Sequence, residues 1–472
     1  MRDRISVRNP RSGELDYEID VTTGDVIDRV ANELREAQTD WRRLGMAGRI
    51  EVLQAFKASL ETHREDIVAA LATDTGRHAL ARQELDGLMR SIDRWCNDGP
   101  GFVSESERPS AVLPHIAIQQ RHDPYPLVGI ISPWNFPLLL SFIDATPALL
   151  AGCAVIIKPS EVTPRFARPV AATIADVPEL NAVLRFIEGD GGTGAELVSR
   201  VDAVAFTGSV ATGRKVAAAA AGAFIPAFLE LGGKDPVVVL EGADLDRAST
   251  AILRASVAAT GQACQSLERI YVHRSQHDDF VSLLAEKAAA TPLSHPDPHE
   301  GIVGPLIFAR QAEIIESHLA DAKTKGAKVH AGGAVEQLDG GYWVRPTVLS
   351  DVTHDMNIMR EETFGPIMPV MAFDSEDEAV ALANDSEYGL SAAVLGPDEA
   401  SALKVAERIN AGGISVNDAG LTTMIFEEQK SAYRHSGMGP SRVGASGLTR
   451  FYRNKALFLN RGDVVPIDVM AE

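Results

Sequence analysis

Three stretches carry residue types that could do chemistry at an electrophilic carbon. Cys264, in ATGQACQSLERI, is one of three cysteines in 472 residues. A lone cysteine is either a small buried hydrophobe or, as the thiolate, a strong nucleophile. Glu230, in FLELGGKDPVVVL, is a carboxylate set in an apolar stretch ahead of two glycines. Such surroundings raise a carboxyl pKa towards neutrality and make a usable base, whereas a salt-bridged glutamate would be structural. Asn135 stands between Pro133 and Pro137 in GIISPWNFPLLL. An amide held that stiffly can donate to a developing oxyanion; an ordinary turn asparagine is the alternative.

Other stretches suit a phosphate or a ribose. In AVIIKPSEVTP, Lys158 and Glu161 follow a β-branched run, and in AVAFTGSVATGRKVAAAAA a similar run ends at Thr207-Gly208-Ser209 before a helical segment. Free N–H groups at a helix start and its dipole suit a pyrophosphate, although an N-cap serine gives the same pattern. Gly189, Gly191 and Gly194 fit the G-x-G-x-x-G spacing, but no acidic strand end follows about 20 residues later. The pairs His273/His277 and His295/His299 lie in polar stretches without further ligands, so no metal site is expected.

The elements that must position these residues are of two kinds. Residues 24 to 97 have helical periodicity with few breakers. Beyond them, runs such as LVGIIS, CAVIIKPS, AVAFTGS, DPVVVL, RIYVH, IMPVMAF and GGISVN alternate with helical segments. Strands separated by helices imply parallel sheets with crossovers, hence an α/β fold of two or more domains. The run Leu138 to Ile157 is long enough to span a bilayer, but Asp144 and Pro147 favour a core helix leading into a strand.

The formal charge of −20, from 45 basic and 65 acidic residues, disfavours nucleic acid as a partner. No apolar run follows the arginines of the first residues, and three scattered cysteines make a poor disulfide framework. A reducing, cytoplasmic location is expected, with no membrane association.

The order P-W-N-F-P, K-P-S-E, F-T-G-S-x-x-x-G, E-L-G-G-K, G-Q-x-C, E-E-x-F-G-P and S-G-M-G resembles the aldehyde dehydrogenase superfamily, from RNPRSGE near residue 8 to the final NKALFLN. Glu230 and Cys264 are 34 residues apart, similar to the family's interval. The resemblance implies an aldehyde-dehydrogenase-like α/β fold. A dinucleotide-binding domain is expected over 1–105 and 125–232 and a catalytic domain over 233–449. An oligomerisation element over 106–124 and 450–472 would build a homodimer or homotetramer. It assigns Cys264 as nucleophile, Glu230 as general base, and Asn135 with the Cys264 N–H as oxyanion hole.

For the cofactor the resemblance implies NAD, with NADP possible, since Glu161 would repel a 2′-phosphate. Lys158 and Glu161 would meet the adenosine ribose, Gly208 and Ser209 the pyrophosphate, and Glu362 and Phe364 the nicotinamide ribose, with Ser160 also on the cofactor. Ile131, Ser132, Pro133, Trp134, Gly191, Phe206, Thr207, Leu231 and Gly232 complete the set. This moves Gly189 to Gly194 from phosphate cradle to the neighbourhood of the adenine.

The sequence also departs from the family's pattern. Asp235 stands where asparagine is common, Asp144 where many members carry lysine, and Ala258 where an aromatic is frequent. Gln265 follows the thiol, and residues 418–435 are longer than usual and lack P-F-G-G. Leu139, Leu140, Ile143, Ala258 and Phe426 suggest a tunnel for a medium-chain aliphatic or aromatic aldehyde. The rivals are a CoA-acylating relative, which would not need Glu230, and a silent structural relative, which would not need all three of Asn135, Glu230 and Cys264.

Overall fold

In the computed structural model, which describes residues 4–103 and 106–470, the chain forms two parallel-sheet units and a smaller antiparallel sheet. Four helices, Gly24–Arg43, Gly45–Thr62, Arg64–Thr75 and His78–Phe102, make the front section. The first buries Ile27, Ala31, Leu34, Gln38 and Trp41, one stripe at helical spacing.

The first unit is a six-stranded sheet in the order Gly437–Met438, Ala227–Glu230, Ala203–Thr207, Leu127–Ile131, Ala154–Lys158, Leu184–Phe186. All its pairings are parallel except that of Gly437–Met438 with Ala227–Glu230. Leu127–Ile131 and Ala154–Lys158 are almost wholly buried, as expected for central strands covered on both faces. From Leu127–Ile131 the chain builds the sheet first to one side, then to the other. Loops diverge there at the carboxyl ends of the strands, and such switch points are where open α/β sheets bind ligands.

The apolar run from Leu138 is the helix Pro137–Ala151, followed by the strand Ala154–Lys158. Pro137 sits in the first turn, and Gly152, at φ 105°, takes the left-handed conformation that closes the helix. Among the described residues no helix is long and apolar enough to cross a membrane.

The second unit is a seven-stranded sheet ordered Lys328–Ala331, Thr347–Ser350, Ile367–Phe373, Leu267–His273, Asp235–Val239, Ser391–Leu395, Gly413–Val416; only the edge strand Lys328–Ala331 pairs antiparallel. Tyr452–Asn460, Ile116–Pro124 and Glu107–Pro109 form the antiparallel three-stranded sheet.

Residues 437–449, grouped with the second unit from the sequence, return to the first. Gly437–Met438 extends its sheet, and Leu448 packs with Phe451 and Tyr452 in its core. The physical reason is burial: Leu448 and Phe451 are fully enclosed beside Trp95 and the helix Pro137–Ala151.

Candidate active site

Cys264 is carried on a loop under backbone strain. Ala259, Thr260 and Gly261 have successive φ angles of 53°, 62° and 68°. For Ala259 and Thr260 such a conformation costs about 1–3 kcal/mol each and persists only where the surroundings impose it. Here Arg77 Nη1 donates to the Ala259 carbonyl at 3.0 Å, and Thr260 Oγ1 bridges the Gly304 N–H and carbonyl at 3.0 and 3.2 Å. Gln262 spans the Pro305 carbonyl and the Ile307 N–H at 3.2 and 2.9 Å. At Gly261 a Cβ would stand 2.3 Å from the Gly365 carbonyl, so only glycine fits.

Asn135 reaches the same loop from the first unit. Its Nδ2 donates to the Gln262 carbonyl at 2.9 Å, two residues before the cysteine, and has a second hydrogen to offer. The buried Arg77 guanidinium donates to the Asn135 carbonyl as well, so one side chain ties both loops. Glu84 accepts the Leu138 and Leu139 N–H groups at 3.2 Å each, occupying orphan donors at the start of the next helix. Burial pushes Glu84 up to about 7 despite Arg77 nearby.

Glu230 ends the strand Ala227–Glu230, in register with Thr207 on one side and Gly437 on the other. Its carbonyl accepts the Gly208 N–H at 3.1 Å. Burial pushes its carboxyl up, while Arg442, Arg450 and Lys430 pull the other way. Burial, with Glu362 and Asp235 adding, pushes the Cys264 thiol up to about 12. The free chain therefore holds a neutral thiol near pH 7, and a base must take its proton before it attacks.

Asp144 is buried between Arg442 at 2.6 Å and Arg450. Burial raises its carboxyl, but the two guanidinium groups hold it below the usual carboxylate range. Positive charge beside position 144, where the resemblance implies a lysine, is thus supplied by Arg442 and Arg450 from the C-terminal segment.

The remaining predicted residues gather at the switch point. Lys158 Nζ meets Glu161 Oε2 at 3.1 Å, Lys158 buried and Glu161 partly exposed. The Ser132 N–H donates to the Lys158 carbonyl at 3.1 Å, and Ser160 Oγ accepts the Val162 N–H at 3.2 Å. Pro133 and Trp134 lie in the turn after Ile131, and Trp134 packs edge-on to Phe364 with centroids 5.3 Å apart. Ser209 N-caps the helix Val210–Ala223, accepting the Thr212 N–H at 3.3 Å. Gly208 lies beside the Phe206 ring, and Leu231 fills the space above Gly213. A Cβ on Gly232 would fall 2.5 Å from Glu362 Oε2, whose partner oxygen accepts the Gly233 N–H at 3.1 Å. Burial and the charge of Glu268 push Glu362 up to about 8. Gly191 opens the helix Gly191–Val198, which Asp190 caps; a Cβ on Gly194 would touch Lys158 and Ile131.

Arg77, Glu84, Lys234, Glu268, Arg442 and Arg450 carry no local mark of their roles, because the partners that fix them lie 34 or more residues away along the chain. Among the described residues no group of three or more His, Cys, Asp or Glu could hold a metal ion. His295 meets Asp339 at 3.0 Å, and the His299 and His78 rings lie tilted to each other with centroids 4.3 Å apart.

A mixed site of this kind has counterparts. The model of the aldehyde dehydrogenase family matches residues 1–457. The solved structure of PutA from Anabaena variabilis superposes with a TM-score of 0.97 at 52% identity, covering 98% of this chain and 99% of that one. The Mycobacterium tuberculosis aldehyde dehydrogenase complexed with NAD+ has a TM-score of 0.91 at 31% identity, with 98% and 96% covered. The 4,4'-diapolycopene aldehyde oxidase of a Methylomonas species is 36% identical, over 96% of this chain and 83% of its own length.

Proposed function

Because the chain belongs to the aldehyde dehydrogenase family, whose enzymes oxidise aldehydes to acids, we propose that it acts through Cys264, Glu230 and Asn135 on a medium-chain aliphatic or aromatic aldehyde, with NAD as cofactor and NADP possible. One observation carries the reading: Asn135 Nδ2 is hydrogen-bonded into the loop that bears Cys264. An amide from the first sheet unit is thereby tied to the loop of the thiol, two residues before Cys264.

The residues present fit a dinucleotide by the chemistry of their donors. Lys158 and Glu161 would hold the adenosine ribose, Gly208 and Ser209 at the start of a 14-residue helix the pyrophosphate, and Glu362 with Phe364 the nicotinamide ribose. When bound, the nicotinamide supplies the two-electron acceptor.

In this reading, Cys264 Sγ, its proton removed, forms a bond to the aldehyde carbon. Asn135 and the Cys264 N–H hold the resulting alkoxide where fixed donors already point. Loss of hydrogen with its electron pair leaves a thioester on Cys264. Glu230 then takes a proton from water; the oxygen adds to the thioester carbon, the C–S bond breaks, and the carboxylic acid leaves.

The substrate class rests on the mouth. Leu139 and Leu140 are half-buried, and Met424 and Ile425 stand exposed beside Phe426, which Arg94 ties to the helix His78–Phe102 at 3.2 Å. The test is a kcat/KM series read at 340 nm with NAD or NADP, in which hexanal-sized and aromatic aldehydes should exceed glycolaldehyde by about tenfold or more, at ~0.8 kcal/mol per buried methylene. Small polar aldehydes leading the series would contradict the class.

The three-stranded sheet, with Phe458 exposed on its outer strand, is our candidate for joining copies into a dimer or tetramer. Three free thiols, Cys96, Cys153 and Cys264, are consistent with a reducing cytoplasm.

A further inference from the structure

We propose that Arg442 is a positioning residue for the general base, its guanidinium fixed on the Thr207 side chain so that one permanent positive charge faces the Glu230 carboxylate. The inference rests on the reading of Glu230 as base and adds what controls it.

The placement follows from sheet geometry. Thr207 and Glu230 are register partners on adjacent parallel strands. Paired residues point to the same face, and neighbouring strands lie about 4.8 Å apart. Arg442 Nη2 donates to Thr207 Oγ1 at 2.6 Å and to Asp144 Oδ2 at 2.6 Å. The guanidinium is therefore on Glu230's face, within a side chain's reach of it. On the other side of Glu230 stands Gly437, which has no side chain.

The charge balance gives the cluster a direction. Asp144 neutralises one of its two arginines, and Arg450 is further enclosed by the Phe228 and Phe451 rings at 5.1 and 4.9 Å. One positive charge is left over; the Nε groups of Arg442 and Arg450 are both buried with no hydrogen-bond partner among the described residues, and of the two it is Arg442 that is tied to Thr207 on Glu230's face. Such an N–H costs free energy unless it meets an acceptor, and a carboxylate or a bridging water would supply one. The groups facing Glu230 are Arg442 and Arg450 from the C-terminal segment, Asp144 from the helix Pro137–Ala151, and Lys430 from the preceding loop. Cys264 faces Glu230 and Arg442 in turn.

An arginine does not give up its proton. The proton that Glu230 takes from water therefore cannot pass through Arg442, whose part in the acid limb of turnover is that of a fixed charge.

The experiment measures kcat against pH together with the pre-steady-state burst of reduced cofactor, in wild type, Arg442→Gln, Arg442→Lys, Arg450→Gln and Glu230→Gln. Arg442→Gln leaves Asp144 and Arg450 as a neutral pair. It should move the acid limb of kcat up by about one pH unit, a loss of about tenfold below the limb, with burst amplitude and both KM values within about twofold. Arg442→Lys should return the limb to the wild-type position, and Arg450→Gln, which removes a charge that acts on Glu230 less strongly than that of Arg442, should move it less than Arg442→Gln does. An unmoved limb in Arg442→Gln, or equal movement in Arg450→Gln, would overturn the proposal. Should Arg442→Gln not fold, a limb displaced by a full unit in Arg442→Lys, where the charge is kept, would overturn it alone. Full turnover by Glu230→Gln would instead overturn the reading beneath it.

Discussion

Lys234 Nζ meets Glu268 Oε2 at 2.6 Å with both side chains sealed from solvent, and the same carboxylate accepts the Thr363 and Phe364 N–H groups at 2.7 Å each. This pair holds the EETFGP loop, on which Glu362 and Phe364 stand, against the loop of Cys264. Lys234 also reaches Thr363 Oγ1 at 2.9 Å.

Removing one member of such a pair strands a buried charge, at a cost of about 3–5 kcal/mol. Glu268→Ala should therefore lose roughly 3 kcal/mol in denaturant melts and raise the KM for NAD several-fold. Lys234→Met/Glu268→Ala should lose less than Glu268→Ala alone. A double variant less stable than the single one would show that charge pairing is not what holds the loop.

Asp235 gives a pH dependence of definite sign. Burial pushes its carboxyl up from 3.8 to about 8, although it accepts a hydrogen bond from Ser391. Between those values the unfolded chain is ionised here and the folded chain protonated, so stability falls as pH rises through the window and levels off above about 8. Asp235→Asn removes the group. Its melting temperature at pH 8 should exceed wild type by about 2–4 °C, and the gain should vanish near pH 4. A gain independent of pH would point to packing instead.

Lys430 places a cation in the loop proposed to bound the substrate mouth. Its ammonium stands 5.5 Å from the Phe426 ring centre and donates to the Thr422 carbonyl. Burial pulls its pKa down, while Glu230 and Cys264 oppose this. An ω-amino aldehyde should be a worse substrate than the neutral aldehyde of equal length by about tenfold in kcat/KM, and Lys430→Gln should remove most of that gap. Equal ratios in the two enzymes would place the ammonium outside the substrate's path.

Much of this site could be read from the sequence because its residues sit in local signals. Asn135 is bracketed by prolines, Ser209 and Lys158 end β-branched runs, and Glu230 interrupts an apolar one. What could not be read is carried by pairs remote along the chain. Arg442 reaches Asp144 across 298 residues, and Arg77 reaches the Ala259 carbonyl across 182. Nothing in a run of alanines marks Ala259 as left-handed, since the conformation is imposed by Arg77 and Gly304 from outside. The return of residues 437–449 to the first unit was hidden for the same reason. Leu448 and Phe451 are apolar in either unit, and only packing chooses between them.

The most direct test of the account is rapid mixing with NAD and a turned-over aldehyde, followed at 340 nm, for wild type, Cys264→Ala and Glu230→Gln. The account predicts steady turnover for wild type, no burst and no turnover for Cys264→Ala, and a single stoichiometric burst followed by a stall for Glu230→Gln. A burst from Cys264→Ala, or undiminished turnover by Glu230→Gln without added thiol, would contradict it.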